Sequence, residues 1–219
     1  MKKGLIILSA AIILFVIYMP ISMSWLLSEH QELSKRKIAM SMYGVQVKGE
    51  EEKLCIKFSE FTEYIPDQDY INDFNAHLWH ARDTLYIELI GRDAYPGLHK
   101  IFSKEAYDSL NDISAYDRVK ISIDEGRTKK THLNYGFSFG GIALVAKNVD
   151  GQFVQGSRQI CDIPWKMEAK GQDWTLFAAI PLHGKDNLGL NIVRKYYGGR
   201  EVGLVPENNP NNFVLVHLI

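Results

Sequence analysis

Two cysteines, seven histidines and twenty-six carboxylates are the groups in this 219-residue chain that could serve as nucleophiles, metal ligands or acids and bases. Their spacing favours none of these uses. His77 and His80 are three apart, which on a strand sends them to opposite faces; on a helix they would converge, but the following Leu85-Tyr-Ile favours a strand. The other histidines are scattered without the spacing of metal ligands. Cys55 and Cys161 either close one long loop as a disulfide in an oxidising compartment or are two separate buried thiols, and they form no metal motif. Adjacent carboxylates such as Asp124 and Glu125 could take calcium or sit on a solvated turn. No two carboxylates are marked as a hydrolytic pair, and there is no nucleophile elbow, phosphate loop or dinucleotide fingerprint. The sequence therefore predicts no enzyme, no metal and no cofactor.

The elements that would carry a site begin with a membrane segment. After Lys2 and Lys3 no charge occurs from Gly4 to Ser28. About twenty apolar residues cross a bilayer core, and Trp25 falls where an interfacial aromatic would sit. The rival is a cleaved secretory signal, whose apolar region is about 7 to 15 residues and ends in a small-x-small site. Here the run is longer and no such site follows. Basic residues flank the segment on both sides, Lys2 and Lys3 before it and Lys35, Arg36 and Lys37 after it, so the charge rule is nearly tied; the short basic tail favours an inside N-terminus. The expected organisation is a transmembrane anchor over 1–28, a charged stalk over 29–40 and one domain over 41–219, on the periplasmic or extracellular side. Basic and acidic residues balance, 25 against 26, which argues against a nucleic-acid partner. The 46% hydrophobic content suffices for a core.

Beyond residue 50 the hydrophobic period becomes two, the mark of strands with one buried face. Leu54, Ile56 and Phe58 share a face, as do Leu85, Ile87 and Leu89. Val119, Ile121 and Ile123 point inward, with Arg118, Lys120 and Ser122 outward. Tyr135 to Phe139 and Ile142 to Ala146 flank Gly140-Gly141, a hairpin signal. Trp174, Leu176, Ala178 and Ile180 share a face before Pro181, and Leu188, Leu190 and Ile192 alternate with Asn191 and Val193. Phe213 to Leu218 closes the chain. The one helical expectation in the domain is Ser103 to Ile113. Strands separated by turns at Asp150-Gly151, Gly171, Gly198-Gly199 and Asn208-Asn209-Pro210 predict an all-β, antiparallel β-sandwich.

Four stretches resemble the family 9 carbohydrate-binding modules and their wider sandwich superfamily, which includes haem-binding members of the DOMON type. Phe74-Asn-Ala-His-Leu-Trp-His-Ala-Arg-Asp-Thr-Leu-Tyr-Ile is similar to a strand pair around a Leu-Tyr-Ile core. Tyr116-Asp-Arg-Val-Lys-Ile-Ser-Ile-Asp resembles an Asp-x-Val-x-(apolar)-x-Ile-Asp strand. Asp173-Trp-Thr-Leu-Phe-Ala-Ala-Ile-Pro-Leu resembles a Gly-Trp-x-x-Glu-x-Ala-Ile-Pro strand. Gly189-Leu-Asn-Ile-Val-Arg resembles a Gly-x-Asn-x-x-Arg strand, and Asn212-Phe-Val-Leu-Val-His-Leu fits the last strand. The resemblance covers roughly 50 to 218 and implies a jelly-roll-like sandwich that binds sugar.

A sugar needs aromatic faces to stack on and planar polar groups for paired hydrogen bonds. The family's chain-end binders sandwich the sugar between two tryptophans, one just before the Asp-x-Val strand and one in the loop before the last strand. This sequence departs at both. Ser114 stands near the first position, Lys120 replaces the strand's acidic residue, and Pro206 to Phe213 contains no tryptophan. The remaining candidates for ligand contact are Tyr116, Tyr196 and Phe213 as platforms and Arg194, Arg200, Asn208 and Asn209 as polar partners. Trp165, Trp174 and Trp79 read as packing residues. The expected partner is a carbohydrate. The alternative is an envelope interaction domain that keeps the fold without the sugar site and holds a protein. A third possibility follows from the superfamily: haem between a methionine and a histidine, for which Met167 with His132 is the available pair.

Overall fold

In the computed structural model the described residues are 44–57, 73–92, 118–195, 201–204 and 210–219. The chain divides into two units, Met1–Ala39 and Met40–Ile219, and every described residue belongs to the second. The strands are β1 (Val45–Val47), β2 (Leu54–Lys57), β3 (Asp73–Ala81), β4 (Thr84–Arg92), β5 (Arg118–Glu125), β6 (Thr131–Ser138), β7 (Ala143–Val149), β8 (Gln152–Phe153), β9 (Gln159–Ile160), β10 (Trp165–Lys170), β11 (Asp173–Pro181), β12 (Asn187–Lys195), β13 (Glu201–Gly203) and β14 (Val214–Leu218).

They form two sheets. One has five strands in the order β10-β11-β4-β3-β2; the other has nine, along the path β1-β14-β12-β5-β6-β7-β8, with β13 beside β12 and β9 beside β7. Pairing is antiparallel except where β1 runs parallel to β14, so the first and last strands of the domain lie together. The predicted all-β, largely antiparallel architecture is present. Phe58 and the helical expectation at 103–113 lie outside the described residues. So does the segment over 1–28; among the described residues no helix is long and apolar enough to cross a membrane.

The alternating residues build one core between the sheets. In the five-stranded sheet the inner rows run Leu78, Ile87, Ala178, Trp165 and Ala76, Leu89, Leu176, Met167 across β3, β4, β11 and β10. In the nine-stranded sheet they run Val214, Leu190, Ile123, Leu133 and Ile192, Ile121, Tyr135, Val145. These residues belong to a single buried cluster or pack against it. Rings join the layers: Phe137 of β6 lies 5.6 Å from Trp165 of β10, and Phe139 lies 5.8 Å edge-on to Trp174 of β11. Trp165 and Trp174 are thus the packing residues expected of them. Trp79 is also buried, but on the other side of its sheet. It stacks on Tyr86 at 5.4 Å, with the Lys53 ammonium 3.9 Å from its ring centre.

Gly140-Gly141, Asp150-Gly151 and Gly171 fall between strands as expected, while Gly198-Gly199 and Asn208-Asn209 lie outside the described residues. The β6–β7 hairpin closes through Phe139 to Ile142. Asp150 and Gly151 both take positive φ, 50° and 78°, between β7 and β8, the twist a two-residue hairpin requires.

Candidate functional site

The face of the nine-stranded sheet turned away from the core carries the outward positions of β5, β6, β7 and β12. Four rows cross it. Lys195, Arg118 and Ser138 form the first; Val193, Lys120, Gly136 and Leu144 the second; Asn191, Ser122, Asn134 and Ala146 the third. The fourth holds Gly189, Asp124 and, beside them, His132 paired with Asn148. Alternation alone predicts that such positions meet water. Instead Ser122, Asp124 and Asn191 are 0% exposed, His132 and Ser138 1%, and Arg118 9%. A sheet that buries polar groups on its outer side must hydrogen-bond them to offset their lost hydration.

It does so in a chain. The Ser122 hydroxyl donates to Asn134 Oδ1 at 2.5 Å, and Asn134 Nδ2 donates to Asn148 Oδ1 at 2.9 Å. The Asn134 carboxamide is thereby fixed from both ends. It retains one amide hydrogen and one carbonyl lone pair for another partner. Asn134 is half-buried, as are Lys120, Leu144 and Ala146 around it, whereas the anchors Ser122 and Asn148 are buried. Gly136 contributes no side chain between Lys120 and Leu144. The result is a polar pair, Asn134 and Lys120, beside an apolar pair, Leu144 and Ala146. Such a patch can meet a ring that presents hydroxyls along its edge and C–H groups on its face.

At the far end Asp124 is committed to the β5–β6 hairpin. Its carboxylate accepts from Thr128 N at 2.8 Å, Thr128 Oγ1 at 2.8 Å and Lys129 N at 2.6 Å. Glu125 instead receives His183 N at 3.1 Å and lies 3.1 Å from its ring nitrogen. The two carboxylates considered for calcium therefore serve a turn and a neighbouring loop. Among the described residues no three His, Cys, Asp or Glu side chains group as a metal site. His132 lies edge-on to Phe213, ring centres 5.2 Å apart. Burial lowers its pKa from the ordinary 6.5, Asp124 opposes that shift and Lys120 adds to it.

The residues proposed from sequence separate. Phe213 is on this face. Its Cβ approaches Gly189, where an added Cβ would stand 3.2 Å away, and its ring closes over His132 with 3% exposure, so it is a packed lid on the Asp124 row. Arg194 is on the opposite, core-facing side of β12, paired with Val119 and 0% exposed. Its guanidinium lies 4.6 Å from the Phe139 ring centre and 5.6 Å from that of Trp174, and Nη1 donates to Lys195 O at 2.6 Å. Tyr116, Tyr196, Arg200, Asn208 and Asn209 lie outside the described residues. In sequence Tyr116, Tyr196 and Arg200 adjoin strand ends that pair: β5 starts at Arg118 opposite Lys195, where β12 ends, and Lys195 is also opposite Glu201, where β13 starts.

Asn134, Asn148 and Asn191 were not legible as site residues, and His132 was named only as a haem ligand. The available signal was their place on the polar side of alternating strands, the same signal given by any solvated sheet. The third possibility, haem, fails on geometry: Met167 packs toward the core from the five-stranded sheet while His132 faces outward on the other sheet, so the two cannot ligate one haem iron. Of the two alternatives for the cysteines the structure has separate free thiols, Cys161 buried beside β9 and Cys55 exposed on β2 rather than buried.

No protein-family model matches the sequence, and no curated protein matches it significantly. Solved structures do match. A candidate carbohydrate-binding protein from Bacteroides uniformis superposes with a TM-score of 0.52 at 11% identity, over 80% of this chain and 98% of that one. A family 9 carbohydrate-binding module from Caldicellulosiruptor kristjanssonii, in complex with glucose, gives 0.50 at 13% identity, over 80% of this chain and 95% of that one. The domain has the fold of the family 9 carbohydrate-binding modules, as the four sequence stretches implied.

Proposed function

We propose that this chain is a membrane-tethered, extracytoplasmic carbohydrate-binding module that takes a sugar on the polar face of its nine-stranded sheet and has no catalytic role. The observation that carries the reading is the fixed carboxamide of Asn134, held by Ser122 and Asn148 beside Leu144 and Ala146. A preorganised planar amide next to an apolar strip costs little ordering on binding and offers a donor and an acceptor to adjacent hydroxyls. The fold shared with a module that holds glucose points to the same ligand class. The tether rests on the uncharged run from Gly4 to Ser28.

The test is a glycan array followed by calorimetry on the full chain in detergent micelles. Saturable binding to at least one oligosaccharide is expected. Asn134→Ala should weaken it about tenfold, the worth of one or two good hydrogen bonds, without lowering the unfolding midpoint by more than a few degrees. Absence of binding across the array would remove the reading.

A protein partner is the second reading, and one observation favours it. Ile160 is 81% exposed and Phe153 47%, both on the excursion between β7 and β10. Crosslinking in intact membranes that captures one defined partner, lost in Ile160→Asp, would support it. Crosslinks unchanged by that substitution would count against it.

A further inference from the structure

Leu133, Tyr135 and Val145 point to the core side of β6 and β7, and yet Leu133 and Val145 are only half-buried. They border a cleft of about 450 Å³ whose other wall is the chain around and beyond β9, including Cys161 and Ile163. Every residue around the cleft belongs to the unbroken described stretch 118–195. A cleft of this size, walled mainly by apolar side chains with a few polar groups, has the form of a small-molecule site.

The far wall is tied to β7. Val154 N donates to Lys147 O at 2.9 Å, and Cys161 N donates to Ala143 O at 2.9 Å. The Ser157 hydroxyl donates to Val154 O at 2.7 Å and accepts from Lys147 N at 3.0 Å. A wall held in this way leaves little to order on binding. At depth lie two polar residues, Tyr135 at 5% exposure and Cys161 at 6%. Burial pushes the pKa of both upward, so both are uncharged at neutral pH. The Ile163 amide engages the Cys161 sulfur. The Tyr135 hydroxyl, in contrast, has no hydrogen-bond partner among the described residues. A hydroxyl withdrawn from water without a partner carries a cost that a bound polar atom removes. The charged residues of the lining, Lys147 and Asp162, are exposed, as is Ile160 at 81%. Charge is thus confined to the mouth, where Ile160 extends the apolar wall into water.

We propose that this cleft binds a small uncharged molecule with an apolar body and one hydrogen-bonding oxygen, of the class of phenols and apolar alcohols. The oxygen meets the Tyr135 hydroxyl, and the body lies against Leu133, Val145 and Ile163. These side chains are on the inner side of their strands, so the site is separate from the sugar face built around Asn134 on the outer side. A charged ligand is disfavoured because nothing at depth offsets its lost hydration. A sugar is disfavoured because its ring of hydroxyls would meet a single free polar group.

The full chain in detergent micelles is titrated calorimetrically with 2-naphthol, with 2-methylnaphthalene, which lacks the oxygen, and with 2-naphthoate, which carries a charge. Uptake by the micelles is common to native and variant protein and cancels between them. One saturable site for 2-naphthol is expected, lost in Val145→Trp, whose indole fills the cleft. Tyr135→Phe should weaken 2-naphthol about three- to tenfold, the worth of one hydrogen bond, and leave 2-methylnaphthalene unchanged. It should not lower the unfolding midpoint, because the deleted hydroxyl has no partner to strand. 2-Naphthoate should bind at least about tenfold more weakly than 2-naphthol. Should Val145→Trp fail to fold, Tyr135→Phe carries the test, since it keeps the ring. Heats that are the same in the native protein and in every folded variant overturn the site. Saturable 2-naphthol binding that ignores Tyr135→Phe, or 2-naphthoate bound as tightly as 2-naphthol, overturns the assigned ligand class.

Discussion

His132 is a titratable group placed where its charge is unwelcome, and that has a measurable consequence. Its folded pKa lies below 6.5 because burial outweighs the attraction of Asp124, and Lys120 pushes the same way as burial. Between that lowered value and 6.5 the unfolded chain holds a proton that the native chain refuses. Stability must therefore rise with pH through this window and fall as pH drops below 6.5. In His132→Gln the contribution is gone, so the gap in unfolding midpoint between the native protein and the variant should narrow on acidification from pH 7.5 to 5. A gap constant over that range would mean that His132 titrates as it does in water. The two thiols differ in burial. Burial pushes Cys161 up to about 11, whereas Cys55 is exposed on β2. Reaction with a thiol reagent at pH 8 should modify one cysteine per native chain and both in denaturant, and Cys55→Ser should abolish the native reaction. Two rapid equivalents in the native protein would contradict the burial of Cys161.

Among the elements, β4 and β11 make the most demanding contact. Gly91 faces Trp174 across the pair, and a Cβ on it would stand 2.3 Å from the Cε2 and Cζ2 atoms of the indole. The indole has nowhere to go, being held by Phe74 at 5.5 Å and Phe139 at 5.8 Å and 2% exposed. Gly91→Ala should thus destabilise by about 1–3 kcal/mol through overpacking, read as a lower urea midpoint with an unchanged slope. An unaffected midpoint would show that the ring can shift. This glycine is invisible in the period-two pattern, whereas its strand is not. Leu85, Ile87 and Leu89 announce β4 because one face meets the core and the other does not, and the same holds for Val119 to Ile123 and Trp174 to Ile180. The two-residue strands β8 and β9 are too short to show a period. β10 alternates Trp165 and Met167 with Lys166 and Glu168, but it lies at the end of its sheet and contributes few apolar residues. The polar side of β5, β6 and β12 was misread for a physical reason. Alternation records which residues share a face; it does not record what that face meets. Arg118, Lys120 and Ser122 point outward as expected, and yet Arg118 and Ser122 are buried. The candidate site lay within the legible strands while its character did not.

At the scale of the domain, the question is whether two sheets with one core behave as one body. The inner rows of both belong to a single cluster, so removing volume from either should loosen both. The distribution of tryptophan makes this testable. Three of the four tryptophans, Trp79, Trp165 and Trp174, are on the five-stranded sheet, on β3, β10 and β11, so in a Trp25→Phe background their fluorescence reports that layer, whereas far-ultraviolet circular dichroism sums both. Leu190 is on β12 of the other sheet and 0% exposed. Leu190→Ala should cost about 2–5 kcal/mol for the lost burial and the cavity left behind. If the sandwich is one cooperative unit, the fluorescence midpoint, although it monitors the unmutated sheet, must fall by the same denaturant increment as the circular dichroism midpoint. A fluorescence transition that stays in place while the dichroism shifts would separate the layers. It would also mean that the outer face of the nine-stranded sheet is stabilised without the tryptophan-bearing layer beneath it.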